Sequence, residues 1–194
     1  MDQILDSMEN EDYEYNKNDD IHWNDKDFVI KVLKEYGNHL QYASKKIKNN
    51  KEVVLIAVKL NGFSLEFASE ELKDDKEVVL EAIKNRALSL KYASKNLQND
   101  KEIVLFAVKK YGWVLRFASD ELQNDQEIVS KAVKNDGLSL HFASERLQKN
   151  KKIIITALKN IHFVNYAKFK KNNKIIIFDK KMLEISFNKI LQYY

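Results

Sequence analysis

The sequence predicts an all-α protein, an α-solenoid of five to six 25-residue, two-helix repeats closed by a C-terminal helical cap. Three observations predict it. The chain matches itself at a shift of twenty-five residues, and a fixed period of this size marks a stacked array. Apolar residues inside each copy follow helical spacing. There is no proline and there are only four glycines in 194 residues, a composition that helices tolerate and turn-rich sandwiches and barrels do not.

The chain reads, in order, as an acidic, flexible leader over 1–20, a helical repeat array over 21–173 and a helical cap over 174–194. Residues 21–35 lead into the first copy, with Trp23 just ahead of its start. Each copy opens at one column, Asp25, Asn50, Asp75, Asp100, Asp125 and Asn150, where a short polar side chain can cap the free N–H groups of a helix. The first helix follows. In copy 3, Val78, Val79, Ala82 and Ile83 make one apolar stripe, with Glu77 in the first turn and Lys84 in the last, as the helix dipole favours. Next comes Gly37, Gly62, Gly112 or Gly137, a column expected to end the helix in the left-handed conformation. Copy 3 has Ala87 there and copy 6 His162, so those two turns are expected to be strained or built differently.

The second helix is expected from the leucine column (Leu40, Leu65, Leu90, Leu115, Leu140) to the column of Ile47, Leu72, Leu97, Leu122 and Leu147. Between them lie Tyr42, Phe67, Tyr92, Phe117 and Phe142, each followed by Ala-Ser. A serine repeated in a scaffold column reads as a structural hydroxyl. The sixth copy degrades, since "HFVNYAKF" is one residue short. One copy carries too few apolar side chains to offset the entropy of ordering itself, so neighbours must share a core. The apolar, amphipathic run 174–194 is expected to close the last interface as a helix or helix pair.

The phrases "DDKEVVLEAIKN", "NDKEIVLFAVKKYGWVLRFASDEL" and "NDQEIVSKAVKNDGLSLHFASERL" resemble the tandem repeats of the domain of unknown function 4116 family, over roughly 25–160. The resemblance implies short helical repeats and supplies no catalytic residues.

Chemistry is sparse. Absence of cysteine excludes disulfides and thiolate metal sites. His22, His39, His141 and His162 show neither HxxxH nor HExxH spacing, no acid pair stands out, and the glycines are spent on turns rather than on a phosphate loop. The reading is a non-enzymatic protein without cofactor or metal. Residues 1–20 lack the apolar segment of a secretory signal, and every apolar run falls far short of a membrane span. A soluble, intracellular, cytoplasmic protein without a membrane partner is expected.

Two binding readings follow. The first is a scaffold for protein–protein interaction, because variable positions in a constant frame are where specificity can be written. The column before the aromatic, Gln41, Glu66, Lys91, Arg116 and His141, is polar and different in every copy. Trp113 is a candidate interface anchor, against the plainer reading of a core aromatic. The alternative is nucleic acid or another polyanion at the basic C-terminal end, through Lys149, Lys151, Lys152, Lys168, Lys170, Lys171 and Lys174. Against it, lysine greatly outnumbers arginine and the charge follows no column. Residues 1–24 hold eight acids and one base, whereas 146–194 hold twelve bases and two acids. Self-association of the acidic N-terminus with the basic C-terminus is therefore a third possibility.

Overall fold

A computed structural model describes residues 22–36, 39–160, 167–171 and 174–178. The expected acidic segment 1–20 lies outside them. The chain divides into two compact units, Met1–Ala107 and Val108–Tyr194.

The array is a helical repeat of the solenoid class. Its long helices are α1 (Lys26–Tyr36), α3 (Lys51–Leu60), α5 (Lys76–Asn85), α7 (Lys101–Lys110), α9 (Gln126–Asn135) and α11 (Lys151–Lys159). Each starts where the sequence places it. Asp75 accepts hydrogen bonds from the amides of Glu77 (2.9 Å) and Val78 (3.1 Å), and Asp25, Asn50, Asp100, Asp125 and Asn150 cap their helices in the same way. The inward stripe is closed to solvent. Val53, Val54, Ala57 and Val58 of α3 and Val78, Val79, Ala82 and Ile83 of α5 are each 0% exposed. In the first unit α1 packs on α3 and α3 on α5; in the second α9 packs on α11.

The second half of each copy is not one helix. In copy 2 a 3-10 segment, Gly62–Phe67, is followed by Ala68 in extended backbone and a one-turn helix α4, Glu70–Lys73. Copies 1, 3, 4 and 5 repeat this with α2 (Lys45–Lys48), α6 (Lys95–Gln98), α8 (Asp120–Gln123) and α10 (Glu145–Gln148). The repeated serine causes the break. Ser69 sits at φ −61°, ψ 158°, and its hydroxyl accepts the Leu72 amide, an N-cap geometry incompatible with an uninterrupted helix. Its own amide donates to the Lys48 carbonyl of the preceding copy (2.9 Å), and its hydroxyl donates to Asn49. Ser94 does the same to Lys73 and Asp74, and in the second unit Ser144 to Gln123 and Asn124. The structural hydroxyl is thus a staple between copies. The carbonyls freed by the break also find donors: Gln98 Nε2 reaches Leu90, Lys91 and Ala93, and Gln123 Nε2 reaches Leu115 and Ala118.

The glycine column works differently from expectation. Gly62 and Gly112 do not take a positive φ; they make room. A Cβ on Gly62 would lie 2.4 Å from the Ala82 carbonyl oxygen and 2.7 Å from Ser89 Oγ; one on Gly112 would meet Ser139 Oγ at 2.4 Å and the Ala132 oxygen at 2.5 Å. The next copy's asparagine then clamps the site. Asn85 Oδ1 accepts the Gly62 amide (2.9 Å) and its Nδ2 donates to the Lys59 carbonyl (2.8 Å); Asn135 treats Gly112 and Lys109 alike, at 2.7 and 3.0 Å. Ala87, expected to disturb its turn, opens a 3-10 segment of the same six residues, Ala87–Tyr92, because the column asks for no left-handed backbone. His162 lies outside the described residues.

The N-terminal end carries a truncated copy. The Trp23 carbonyl accepts the Ser44 amide (3.0 Å) and Asn24 Oδ1 accepts its hydroxyl (2.9 Å), as Lys48 and Asn49 do for Ser69. The Trp23 ring, 1% exposed, lies 5.6 Å from Phe28 and 5.4 Å from Tyr42. At the other end, the helical cap expected over 174–194 does not begin as a helix. Ala167–Lys171 (β1) and Lys174–Phe178 (β2) pair as an antiparallel hairpin, with Lys171 opposite Lys174. Three consecutive β-branched residues, Ile175–Ile177, favour the strand. Residues 179–194 lie outside the described residues.

Candidate functional site

The candidate surface lies on the 3-10 segments. Each contributes an inward leucine, a half-buried aromatic and, between them, a residue that faces out. Leu40, Leu65, Leu90 and Leu115 are fully buried, and Tyr42, Phe67, Tyr92, Phe117 and Phe142 are half-buried. All five residues of the variable column are exposed: Gln41, Glu66 and Lys91 in the first unit, Arg116 and His141 in the second.

The cations of this column lie on aromatic faces. In the first unit Lys91 Nζ sits 4.2 Å from the Tyr92 ring centroid and 5.7 Å from that of Phe63, while Arg86 Cζ covers Phe63 at 5.2 Å. In the second, Arg116 Cζ lies 5.2 Å from Phe117 and 5.7 Å from Phe142, and His141 meets Phe142 edge-on at 5.4 Å. A cation over a ring keeps its charge outward while its stem covers apolar surface. Arg86 escapes a reading restricted to one column. Its own column, Tyr36, Asn61, Arg86, Tyr111 and Asp136, repeats only tyrosine, and that variation is the signal that finds it.

Trp113 sits between copies 4 and 5. It is half-buried, donates from Nε1 to Asp136 Oδ2 (2.8 Å) and stands edge-on to Phe142 at 5.4 Å. Its polar tip and its ring are therefore both engaged with copy 5.

A second row of charges runs along the helix starts and is internally paired. Lys26 pairs with Glu52 (2.6 Å), Lys51 with Asp75 and Glu77 (2.8 Å each), and Lys76 with Asp100 (2.5 Å). Partial burial works against the Asp75 and Asp100 charges, yet the lysine partners and the capped amides hold both carboxyls below the usual aspartate range. Hydrogen bonds to these acids raise Lys51 and Lys76. The row changes character at copy 6, which begins Asn150-Lys151-Lys152 where copies 3 and 4 begin Asp-Lys-Glu. Lys149, Lys151 and Lys152 are all exposed, and Lys149 lies 3.8 Å from Glu145. The remaining candidates stand on another element, Lys168, Lys170 and Lys171 on β1 and Lys174 on β2.

An apolar cavity of about 320 Å³ opens beside α11, lined by Leu138, Leu140, His141, Ile154 and Leu158. Among the described residues, no group of three or more His, Cys, Asp or Glu could hold a metal, and no helix is long and apolar enough to cross a membrane.

The profile of the family described as Domain of unknown function (DUF4116) matches residues 25–73, 75–123 and 125–170. The chain belongs to this family. No curated protein and no solved structure matches the chain. Each DUF4116 match takes in two 25-residue copies, so the family's unit is a pair. The structure gives the pairing a physical basis. The asparagine clamps Gly62–Asn85 and Gly112–Asn135 fall where one DUF4116 unit meets the next. Inside the first two units the clamp position holds Leu60 and Lys110; inside the third it holds Asn160, whose backbone carbonyl rather than its side chain accepts the Gly137 amide.

Proposed function

We propose that the array is a non-catalytic scaffold that binds other proteins through the outward face of its 3-10 segments, in an intracellular, cytoplasmic setting. One observation carries the reading. The column that differs in every copy is exposed in every copy, while the columns on either side of it are constant and build the frame. A constant frame with variable exposed positions suits recognition, and cations on aromatic faces suit interface contacts. The test is affinity capture from native lysate with the unmodified chain and with Lys91→Ala and Arg116→Ala. A stoichiometric partner retained by the former and lost by the variants, with circular dichroism unchanged, supports the reading. Equal capture by all three places the interface elsewhere.

A second reading, polyanion binding at the C-terminal end, rests on Lys151 and Lys152, since copy 6 begins Asn-Lys-Lys where copies 3 and 4 begin Asp-Lys-Glu. Fluorescence anisotropy with generic RNA and DNA tests it. Salt-sensitive binding at micromolar protein, weakened by Lys151→Gln with Lys152→Gln, supports it; absence of binding removes it.

A further inference from the structure

We propose that the Arg86–Lys91 pair is a receptor for an acidic segment, and that its occupant is the chain's own residues 1–20. The proposal rests on the reading of the 3-10 face as the binding face and adds the chemistry of what binds there. Four observations lead to it.

First, the two cations are concentrated without compensation. Both are exposed, both lie over Phe63, and Lys91 lies also over Tyr92. Among the described residues neither forms an ion pair, whereas Lys26, Lys51 and Lys76 of the same unit all do. Glu66, the preceding residue of the Lys91 column, forms none with it either. Second, the geometry holds the charges in place. Rings beneath the two side chains restrict them before any ligand arrives, which lowers the entropic cost of binding. Third, the chain carries a segment of matching charge. Residues 1–20 hold eight acids, among them the run Glu9, Glu11, Asp12 and Glu14, against the single base Lys17. Fourth, the reach is sufficient. Twenty residues extend to at most about 70 Å. Copy 3 lies two helix-to-helix steps of about 10 Å each from copy 1, where the segment joins the array.

The segment would lie across the face used for other proteins and compete with them for it. Acidic partners would feel the competition most, since they need the same cations. A second copy's acidic segment, or the lysines of copy 6, are the rival pairings.

The test uses the full chain at low salt. A carbodiimide joins carboxylates directly to lysine amines, and mass spectrometry locates the links. The expected result is that carboxylates of 1–20 couple to Lys91 at least five times more than to Lys45 or Lys46, which are exposed and nearer in the chain. Coupling should fall at least fivefold in Arg86→Gln or in 0.5 M salt. In a mixture of labelled and unlabelled protein, the links should stay within one molecule. Even coupling across Lys45, Lys46 and Lys91, coupling to Lys149, Lys151 or Lys152 instead, links between labelled and unlabelled chains, or no links from 1–20 would each overturn the proposal. None of these would overturn the scaffold reading, which stands or falls by the capture experiment.

Discussion

The junction of copies 2 and 3 and the junction of copies 5 and 6 are built from the same phrase and reach different degrees of closure. At the first, Leu65 and Leu90 are 0% exposed, Asn85 clamps Gly62 and Lys51 bridges two acids of the next copy. At the second, Leu140, Ile154 and Leu158 are only half-buried, the Gly137 amide goes to the Asn160 backbone carbonyl (2.8 Å), and Gln126 faces a copy that begins Asn-Lys-Lys. The long helix is nearly the same in both places. Closure therefore depends on what the neighbouring copy supplies more than on the helix itself. Buried area, a backbone-mimicking amide and an ion pair are three separate contributions, and all three weaken together in copy 6.

The largest expected effect follows from the core. Leu90→Ala should destabilise by about 3–4 kcal/mol, and Leu140→Ala by clearly less, because a half-exposed leucine leaves a smaller cavity and loses less transfer energy. Equal losses in chemical denaturation would break the comparison. Gly62→Ala should cost about 2–3 kcal/mol, since the added methyl runs into the Ala82 backbone. A neutral result would mean that α5 can withdraw without loss. Asn85→Ala should cost about 1–2 kcal/mol by orphaning the Gly62 amide and the Lys59 carbonyl.

The acid limb of the stability profile sharpens the account of the ion pairs. Asp75 and Asp100 have folded-state pKa values below their unfolded value of about 3.9. Their contribution is complete above that value and is lost as pH falls through the folded one. Lys51 and Lys76 are raised, so their contribution is complete below about 10.4 and is lost as pH climbs through the raised values. The thermal midpoint should be flat from pH 5 to 9 and drop below pH 4, with a shallower drop in Asp75→Asn. The smallest effect belongs to Ser89→Ala. Ser89 is 0% exposed and its hydroxyl has no hydrogen-bond partner among the described residues, so removing that oxygen should leave stability unchanged or raise it by up to about 1 kcal/mol.

Much of this architecture is legible in the sequence, for reasons visible in particular residues. The capping column from Asp25 to Asn150 and the apolar stripe at Val78, Val79, Ala82 and Ile83 depend only on spacing within one helix, and both stand in the structure. The exposed column, Gln41 to His141, is legible because variation against a constant frame marks a surface. What spacing conceals is contact between copies. Ser69 looks compatible with a helix running to Leu72 until its amide is seen to serve the Lys48 carbonyl. Gly62 looks like a left-handed helix end until the Ala82 carbonyl occupies the space beside it. Asn85 looks like an ordinary last-turn residue until it reaches two backbone groups of the preceding copy. Arg86 and Lys91 share Phe63 although the three belong to different columns. At the C-terminal end, Ile175–Ile177 form a strand where an amphipathic run suggests a helix.

Native-state hydrogen exchange tests most directly whether each copy is held by the next. The amides of Ser69 and Ser94, which donate to the preceding copy, should exchange as slowly as the buried amides of α3 and α5 and through the same opening, while those of α11 exchange sooner. Free exchange at Ser69 and Ser94 beneath protected helices, or equal protection in α11, would show that the copies stand without one another.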